Sequence, residues 1–139
     1  MATAGEIAVN EATGERVTFV KTAADTGGEL LELELVWPRP GQRAPAHVHP
    51  EMEERYEVLE GTAAFRIGGE ERTAGAGEVV TVPPGVLHLA WNPTDEPVRL
   101  KVEFRPALRW EDFVVRLFAG KEPVADLLRE FAREIRPAQ

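Results

Sequence analysis

Residues 29–37 read ELLELELVW, and this stretch decides the fold class. Leu31, Leu33 and Leu35 alternate with Glu32 and Glu34. In a β-strand, successive side chains point to opposite faces, so the leucines share one face and the glutamates share the other. The pattern therefore predicts a strand with one face in a core and the other in water.

Other stretches show the same period of two and are separated by clusters of Gly, Pro, Asn and Asp. They are Arg16–Lys21, Ala63–Ile67 and Val98–Arg105. Many short strands at this spacing favour an all-β sandwich or barrel, which we expect to run from about residue 6 to residue 106.

The pattern changes after Pro106, where apolar residues recur at helical spacing. One predicted helix contains Trp110, Phe113, Val114, Leu117 and Phe118 and ends at Gly120; the second begins near Pro123, contains Val124, Leu127, Leu128, Phe131 and Ile135, and ends at Pro137. We expect this short helical tail, about 107–136, to pack against the barrel within one domain of residues 1–139. The alternative is that its apolar faces bind a partner subunit.

Composition excludes several classes of function. The chain has 139 residues, 43% of them hydrophobic, which suits one globular domain. Its formal net charge of -8 disfavours nucleic acid and anionic membranes as partners. We find neither a run of apolar residues long enough to span a membrane nor a signal sequence, so a cytoplasmic location is expected. Cysteine is absent, so nitrogen and oxygen would have to hold any metal.

The histidines are few and clustered. The chain has three, at His47, His49 and His88. Residues two apart on a strand project from the same face, so His47 and His49 present two imidazoles to one point. Imidazoles suit Zn, Fe, Ni or Cu, and a carboxylate from the acidic stretch just downstream would extend this set to Mn.

Two longer stretches contain these histidines. Residues 41–61 read GQRAPAHVHPEMEERYEVLEG and residues 77–92 read GEVVTVPPGVLHLAWN. They resemble, at every motif position, the two sequence motifs of the cupin superfamily, and a chance match to the second alone is on the order of one in 10^5. The short spacing between them is similar to that of small bacterial single-domain cupins. The resemblance implies a double-stranded β-helix, or jelly-roll barrel, that holds one divalent metal ion.

The resemblance also implies the ligands, which are His47, His49, Glu54 and His88. Counting back from Gly61, as the motif requires, selects Glu54, because Glu53 would leave one residue too many. Glu53 stays an alternative if the loop shifts by one residue. The other alternative is that the cluster holds no metal. The resemblance does not identify the ion, which we expect to be Fe, Mn, Ni or Zn.

Further residues are candidates for substrate contact. Alternation from Glu54 points Tyr56 inward, as a proton donor, a substrate contact or an aromatic part of the pocket wall. Arg43 is a candidate for binding an anionic substrate, or is a solvated loop residue. Phe65 and Phe104 belong to an apolar inward set that suits a small aromatic or aliphatic substrate.

These observations lead to a functional hypothesis. We expect a metal-dependent enzyme that acts on a small organic molecule, with dioxygenase-like oxygen insertion preferred over isomerisation or epimerisation because few polar side chains accompany the ligands. The rival hypothesis is a non-catalytic binding module that serves as a sensor or scavenger. A storage-type cupin fits poorly, because those proteins pair two barrels. We also expect a homodimer formed through an edge strand and an apolar sheet face.

Overall fold

The computed structural model describes residues 2–38, 40 and 45–138. The strands in this part of the chain are β1 (Ile7–Val9), β2 (Arg16–Lys21), β3 (Leu31–Trp37), β4 (His47–Val48), β5 (Glu53–Glu60), β6 (Thr62–Ile67), β7 (Glu70–Gly75), β8 (Val79–Val82), β9 (His88–Trp91), β10 (Val98–Arg105) and β11 (Arg136–Pro137). The helices are α1 (Ala23–Thr26), α2 (Trp110–Ala119) and α3 (Val124–Glu130).

The strands form two antiparallel sheets. One has the order β1-β2-β3-β10-β5-β8 and the other the order β11-β4-β9-β6-β7. A single apolar core contains residues from both, and Tyr56 of β5 meets Phe65 of β6 with ring centroids 5.0 Å apart. The fold is therefore all-β, as the alternating pattern predicted.

Strand β3 lies inside the larger sheet, between β2 and β10. Leu31 and Leu33 are fully buried, whereas Glu32 and Glu34 are half-buried on the opposite face. Burial of the leucines removes apolar surface from water, which is the main favourable contribution to folding. The two-residue period thus fixes which face of β3 lines the barrel interior.

Gly61 makes the turn between β5 and β6. Its φ is +83°, a left-handed conformation that side chains with a Cβ rarely adopt. A Cβ at this position would also lie 2.6 Å from the carbonyl oxygen of Pro97. The position therefore requires glycine for both conformation and space.

Asn92 closes the turn after β9 with its side chain. Its Nδ2 donates to the carbonyl oxygens of Trp37 and Glu96, and its Oδ1 accepts from the backbone N–H and the hydroxyl of Thr94. The side chain is fully buried, so these bonds satisfy its polar atoms. Asn92 thus joins the β9–β10 connection to the end of β3.

The predicted tail forms, with one correction. Helix α2 ends before Gly120 as expected, and its apolar face packs into the core. Helix α3 ends at Glu130, so the prediction that it continues to Pro137 was wrong. The N–H groups of Glu134 and Ile135 both donate to the carbonyl oxygen of Phe131, and the chain then pairs with β4 as β11. The backbone of residues 136–137 pairs with β4, so it cannot also extend the helix.

Helix α1 is an element that the sequence analysis did not predict. Thr22 caps its N-terminus by accepting from the N–H of Asp25, whose carboxylate accepts in return from the N–H of Thr22. Glu111 of α2, itself buried, accepts from the N–H of Ala23 and from that of Ala2.

None of the described helices has the length and apolar character needed to cross a bilayer.

Candidate metal centre

Three short elements bring the histidines together. His47 begins β4, His49 follows directly after this strand, and His88 begins β9. His47 and His88 are partners in the antiparallel register of the two strands. One ligand atom from each of the three rings lies within 4.8 Å of the others. The side chains that the sequence singled out therefore converge, although 41 positions separate His47 from His88.

Backbone carbonyl groups orient all three rings. The Nδ1 of His47 lies 2.9 Å from the oxygen of Pro45, and that of His88 lies 2.9 Å from the oxygen of Val86. The Nδ1 of His49 lies 2.8 Å from the oxygen of Glu134. A carbonyl oxygen can only accept, so each Nδ1 carries the hydrogen and Nε2 is the nitrogen left for a ligand.

Glu54 of β5 completes the cluster from the opposite sheet. Its Oε1 lies 3.0 Å from Nε2 of His88 and 3.3 Å from Nε2 of His49. Burial alone would raise the pKa of Glu54, but the adjacent His49 and His88 rings outweigh burial and hold its pKa well below the usual range. Glu54 is therefore a carboxylate at neutral pH, although it is almost fully buried.

The same contact affects His88. Burial lowers its pKa, but the hydrogen bond and the negative charge of Glu54 outweigh burial, so its pKa is raised. Both ring nitrogens of His88 face acceptors, the oxygen of Val86 and the carboxylate of Glu54, and both must then carry hydrogen. A positive charge is thus favoured beside Glu54.

The donor set fits a divalent cation. Nε2 of His49 is buried without a hydrogen-bond partner, and it faces Glu54. Burial, together with the neighbouring His49 and His88, lowers the pKa of His47 to about 4, so its ring is neutral at pH 7 and has a free electron pair. A cation held by these nitrogens and the carboxylate would provide His49 with a partner and replace the proton between His88 and Glu54.

The neighbouring glutamates lie elsewhere. Glu53 precedes Glu54 on β5, so it faces the other side of the sheet, where it is half-buried. Glu51 is exposed and forms an ion pair with Arg133, with 2.9 Å between oxygen and nitrogen. Of the acidic residues between His49 and Gly61, Glu54 is the one that contacts the histidine cluster within the described structure.

A cavity of about 410 Å³ adjoins the cluster. Apolar side chains from the barrel and from the tail make up most of its lining, namely Leu33, Leu35, Pro45, Ala46, Ala90, Phe104, Trp110, Phe113, Val114, Leu117, Phe118, Val124, Leu128, Ile135 and Pro137. This volume lies in the range of small-molecule sites, which are concave and mostly apolar. The candidate metal centre therefore opens into a chamber large enough for a small organic molecule.

Of the four residues predicted to contact a substrate, two line the cavity, one lies in the core and one lies outside the described residues. Tyr56 and Phe104 line the cavity. Phe65 is buried in the core, where its ring packs against Tyr56, and it is not part of the lining. Arg43 lies outside the described residues, as does Gly41 of the first motif.

Tyr56 is a protonated hydrogen-bond donor beside Glu54. Burial raises its pKa well above the usual value, and the negative charge of Glu54 and a hydrogen bond to it add to the effect. The phenol therefore keeps its proton at neutral pH, next to the candidate metal ligand Glu54.

Sequence reasoning missed three contributions to the site. The carbonyl oxygen of Glu134 orients His49, and the tail supplies a wall that includes Trp110, whose ring centroid lies 4.8 Å from that of His49. The third contribution is Glu15, which lines the cavity. It could have been found, because it lies two residues before Val17 and thus shares its inward face.

The fold and the site define a class, a two-sheet β-barrel with a histidine and carboxylate cluster inside one end. Residues 36–104 match the family model of the cupin domain. The chain belongs to the cupin superfamily, which confirms the resemblance to small bacterial cupins seen in its two motifs.

Comparisons with individual proteins agree with this assignment. Mannose-1-phosphate guanylyltransferase ManC of Salmonella typhimurium is 32% identical over 90 residues, which are 64% of this chain and 18% of that enzyme. The chain thus spans about a fifth of the length of the curated relatives it matches.

The solved structures that are similar to the chain include the following two. An RmlC-like cupin from Shewanella frigidimarina has a TM-score of 0.64 at 24% identity, covering 78% of this chain and 88% of its own. DMSP lyase DddQ from Ruegeria pomeroyi has a TM-score of 0.51 at 34% identity, covering 58% of this chain and 40% of its own. The first similarity concerns the fold alone.

Proposed function

We propose that the protein is a metal-dependent enzyme that acts on a small, largely apolar organic molecule. The single observation that carries this proposal is the convergence of three histidine rings on Glu54 at the end of an apolar cavity, where the buried Nε2 of His49 makes no hydrogen bond although Oε1 of Glu54 lies 3.3 Å away. A buried polar atom without a partner is costly unless a ligand satisfies it. The ligands we propose are His47, His49, Glu54 and His88, with Fe, Mn, Ni or Zn as the ion.

Each group of residues has a role in this proposal. Three neutral imidazoles and one carboxylate would leave a divalent ion with one net positive charge and open positions that polarise a bound oxygen atom or bind dioxygen. The carbonyl oxygens of Pro45, Val86 and Glu134 hold the rings in one tautomer. Phe104 and the tail residues exclude water and contact the apolar part of the substrate.

We place dioxygenase-like oxygen insertion first among the reactions, because the cavity lining is dominated by aromatic and aliphatic side chains. Isomerisation is the second candidate, and the observation that favours it is Tyr56. Its phenol lines the cavity and stays protonated, so its O–H can donate a hydrogen bond to an oxygen atom of a substrate bound there. The names of the similar proteins include a lyase and a guanylyltransferase and so do not select between the two reactions.

Metal content and turnover together test the proposal. Protein purified without chelators should contain about one equivalent of a transition metal by elemental analysis, and His88→Ala should lower both metal content and melting temperature. The Fe(II)-loaded protein should consume oxygen with a member of a panel of phenols, diketones and thiols. Tyr56→Phe should spare this reaction if it is oxygen insertion and abolish turnover if it is isomerisation.

Two results would overturn the proposal. If the metal content is unchanged in His88→Ala, the proposed set of metal ligands is wrong. An organic ligand that co-purifies unchanged, and that yields no product after metal reconstitution, is the result expected of a non-catalytic sensor or scavenger.

We further propose a homodimer and a cytoplasmic location. Strand β1 is at the edge of the larger sheet, and its Ile7 and Val9 are exposed. An edge strand with exposed apolar side chains can pair with a second copy. Light scattering coupled to size exclusion should give twice the chain mass, and Val9→Lys should shift the protein toward the monomer. A monomer mass for the wild type at micromolar concentration would refute the dimer.

A further inference from the structure

The cavity contains a second acidic group, Glu15, in addition to the metal candidate Glu54. Glu15 immediately precedes β2, and its neighbour two residues on, Val17, is fully buried on the inward face. Among the described lining residues, Glu15 is the one charged side chain outside the metal cluster. A carboxylate at this point interrupts a lining that is otherwise apolar.

Neighbouring groups hold Glu15 in place. Its Oε2 accepts a hydrogen bond of 2.8 Å from the indole Nε1 of Trp37, which lies at the end of β3. Its backbone N–H donates to the hydroxyl of Thr13, and its carbonyl oxygen accepts from the N–H of Asn10. The carboxylate therefore does not turn freely, and its second oxygen is available to a ligand in the cavity.

The surroundings of Glu15 favour a positively charged ligand. Among the described residues, the side chain that acts on the Glu15 carboxylate is the uncharged Trp37, and no Lys or Arg does so. Burial raises its pKa, although the hydrogen bond from Trp37 acts in the opposite direction. A buried carboxylate without a cationic partner is unfavourable, and a bound cation relieves that cost.

Aromatic rings line the part of the cavity next to His49. Trp110 and Phe113 stack with centroids 4.7 Å apart, and both line the cavity with Phe104 and Phe118. The faces of aromatic rings attract alkylated cations, and a quaternary ammonium group is the type of ligand that aromatic sites recognise. The chain's net charge of -8 also attracts cations from solution.

We infer that the cavity binds a small organic cation whose alkylated onium group lies against Glu15, while its apolar body lies along the aromatic wall and an oxygen donor at its other end reaches the histidine cluster. This inference rests on the proposed function, because the second end of the ligand requires the metal. It narrows the substrate class from apolar molecules in general to molecules with an apolar body, a cationic end and an oxygen-containing end.

Two probes of equal shape test the inference by calorimetric titration of the metal-loaded protein. The first is trimethylammonio-butanoate, and the second is its isostere in which carbon replaces the quaternary nitrogen. The measured quantity is a ratio of two dissociation constants, the Kd of the carbon isostere divided by the Kd of trimethylammonio-butanoate. A high ratio means that the protein prefers the cationic probe. Glu15→Gln should lower this ratio by about tenfold or more, since an interaction with a charged group is worth about that factor.

Matched variants isolate the effect of Glu15. Glu11→Gln removes the same charge from an exposed position four residues away and should leave the ratio unchanged. Trp37→Phe removes the N–H that holds Glu15 and should lower the ratio by a smaller factor. The comparison of two probes within one variant cancels any general loss of stability or of metal.

The outcomes separate this inference from the proposed function. An equal ratio in the wild type, Glu15→Gln and Trp37→Phe would overturn the inference, as would failure of the wild type to bind the cationic probe. The proposed function would stand in either case, provided that the metal is bound and lost in His88→Ala. Absence of metal from the wild type, with the ratio still dependent on Glu15, would overturn the proposed function and keep Glu15 as a cation site.

Discussion

Replacement of Phe131 by Ala should weaken metal binding from a distance. Phe131 is almost fully buried, and its ring packs at 5.4 Å from that of Phe113. Its carbonyl oxygen accepts from the N–H groups of Glu134 and Ile135, which shapes the turn that presents the oxygen of Glu134 to His49. Loss of the ring releases this turn, so His49 loses the group that orients it.

The expected magnitudes follow from these contacts. Truncation of a buried Phe to Ala costs about 3–5 kcal/mol. Domains of this size have a free energy of unfolding of about 5–15 kcal/mol, so the variant stays mostly folded when the wild type exceeds about 6 kcal/mol, which urea denaturation measures. Removal of a partner that orients a metal ligand lowers metal affinity by about 10–100-fold. Phe131→Ala should therefore reduce both the free energy of unfolding and the affinity for metal.

A control separates the two effects. Phe19 of β2 is fully buried in the barrel core and does not line the cavity. Phe19→Ala should lower the free energy of unfolding by a similar amount, measured by urea denaturation, and leave the affinity for Zn(II) unchanged, measured by competition with a chromogenic chelator. Equal metal affinity in the Phe131 and Phe19 variants would refute the reasoning that the tail orients His49.

Three further predictions concern single positions. Glu54→Gln should lower metal affinity by at least about tenfold, because an amide is a weaker ligand than a carboxylate, whereas Glu53→Gln should retain it; the competition assay gives both values. Asn92→Ala leaves buried partners unsatisfied and should cost about 1–3 kcal/mol in urea denaturation, with normal metal content. Gly61→Ala should cost more than about 2 kcal/mol, because left-handed strain of about 1–2 kcal/mol adds to the clash with the oxygen of Pro97. A Gly61→Ala variant with wild-type stability would contradict the geometry of this turn.

Stability should also depend on the metal itself. A ligand that binds only the folded state stabilises it by about 2.7 kcal/mol when its free concentration is a hundred times its Kd. The melting temperature should therefore rise on addition of the bound metal and fall on treatment with a chelator. His88→Ala should lack this response, and an equal response in wild type and variant would place the metal outside the cluster.

Local patterns determined much of the fold. The alternation in β3 and β10 predicts these strands because a period of two is a property of the strand itself and needs no partner. Helix α2 follows from its apolar spacing and from Gly120, whose φ of +66° ends the helix. The four candidate ligands could be named because their spacing is written along the chain in two motifs.

Other elements depend on contacts between distant residues. Helix α3 ends early because residues 136–137 pair with β4, and the apolar spacing of the tail contains no sign of that pairing. Strand β7, Glu70–Gly75, has mostly polar side chains and forms by pairing with β6. Propensity and pattern are weak where a neighbouring strand supplies the hydrogen bonds.

Residue patterns along the chain predict the barrel, helix α2 and the candidate cluster of histidines and carboxylate. What surrounds that cluster depends on the tertiary structure: the carbonyl oxygen of Glu134, 85 positions from His49, and the ring of Trp110, whose centroid lies 4.8 Å from that of His49. Every residue except proline has the same backbone N–H and C=O, so no residue type signals which carbonyl will meet a histidine. Only the path of the folded chain brings these groups together.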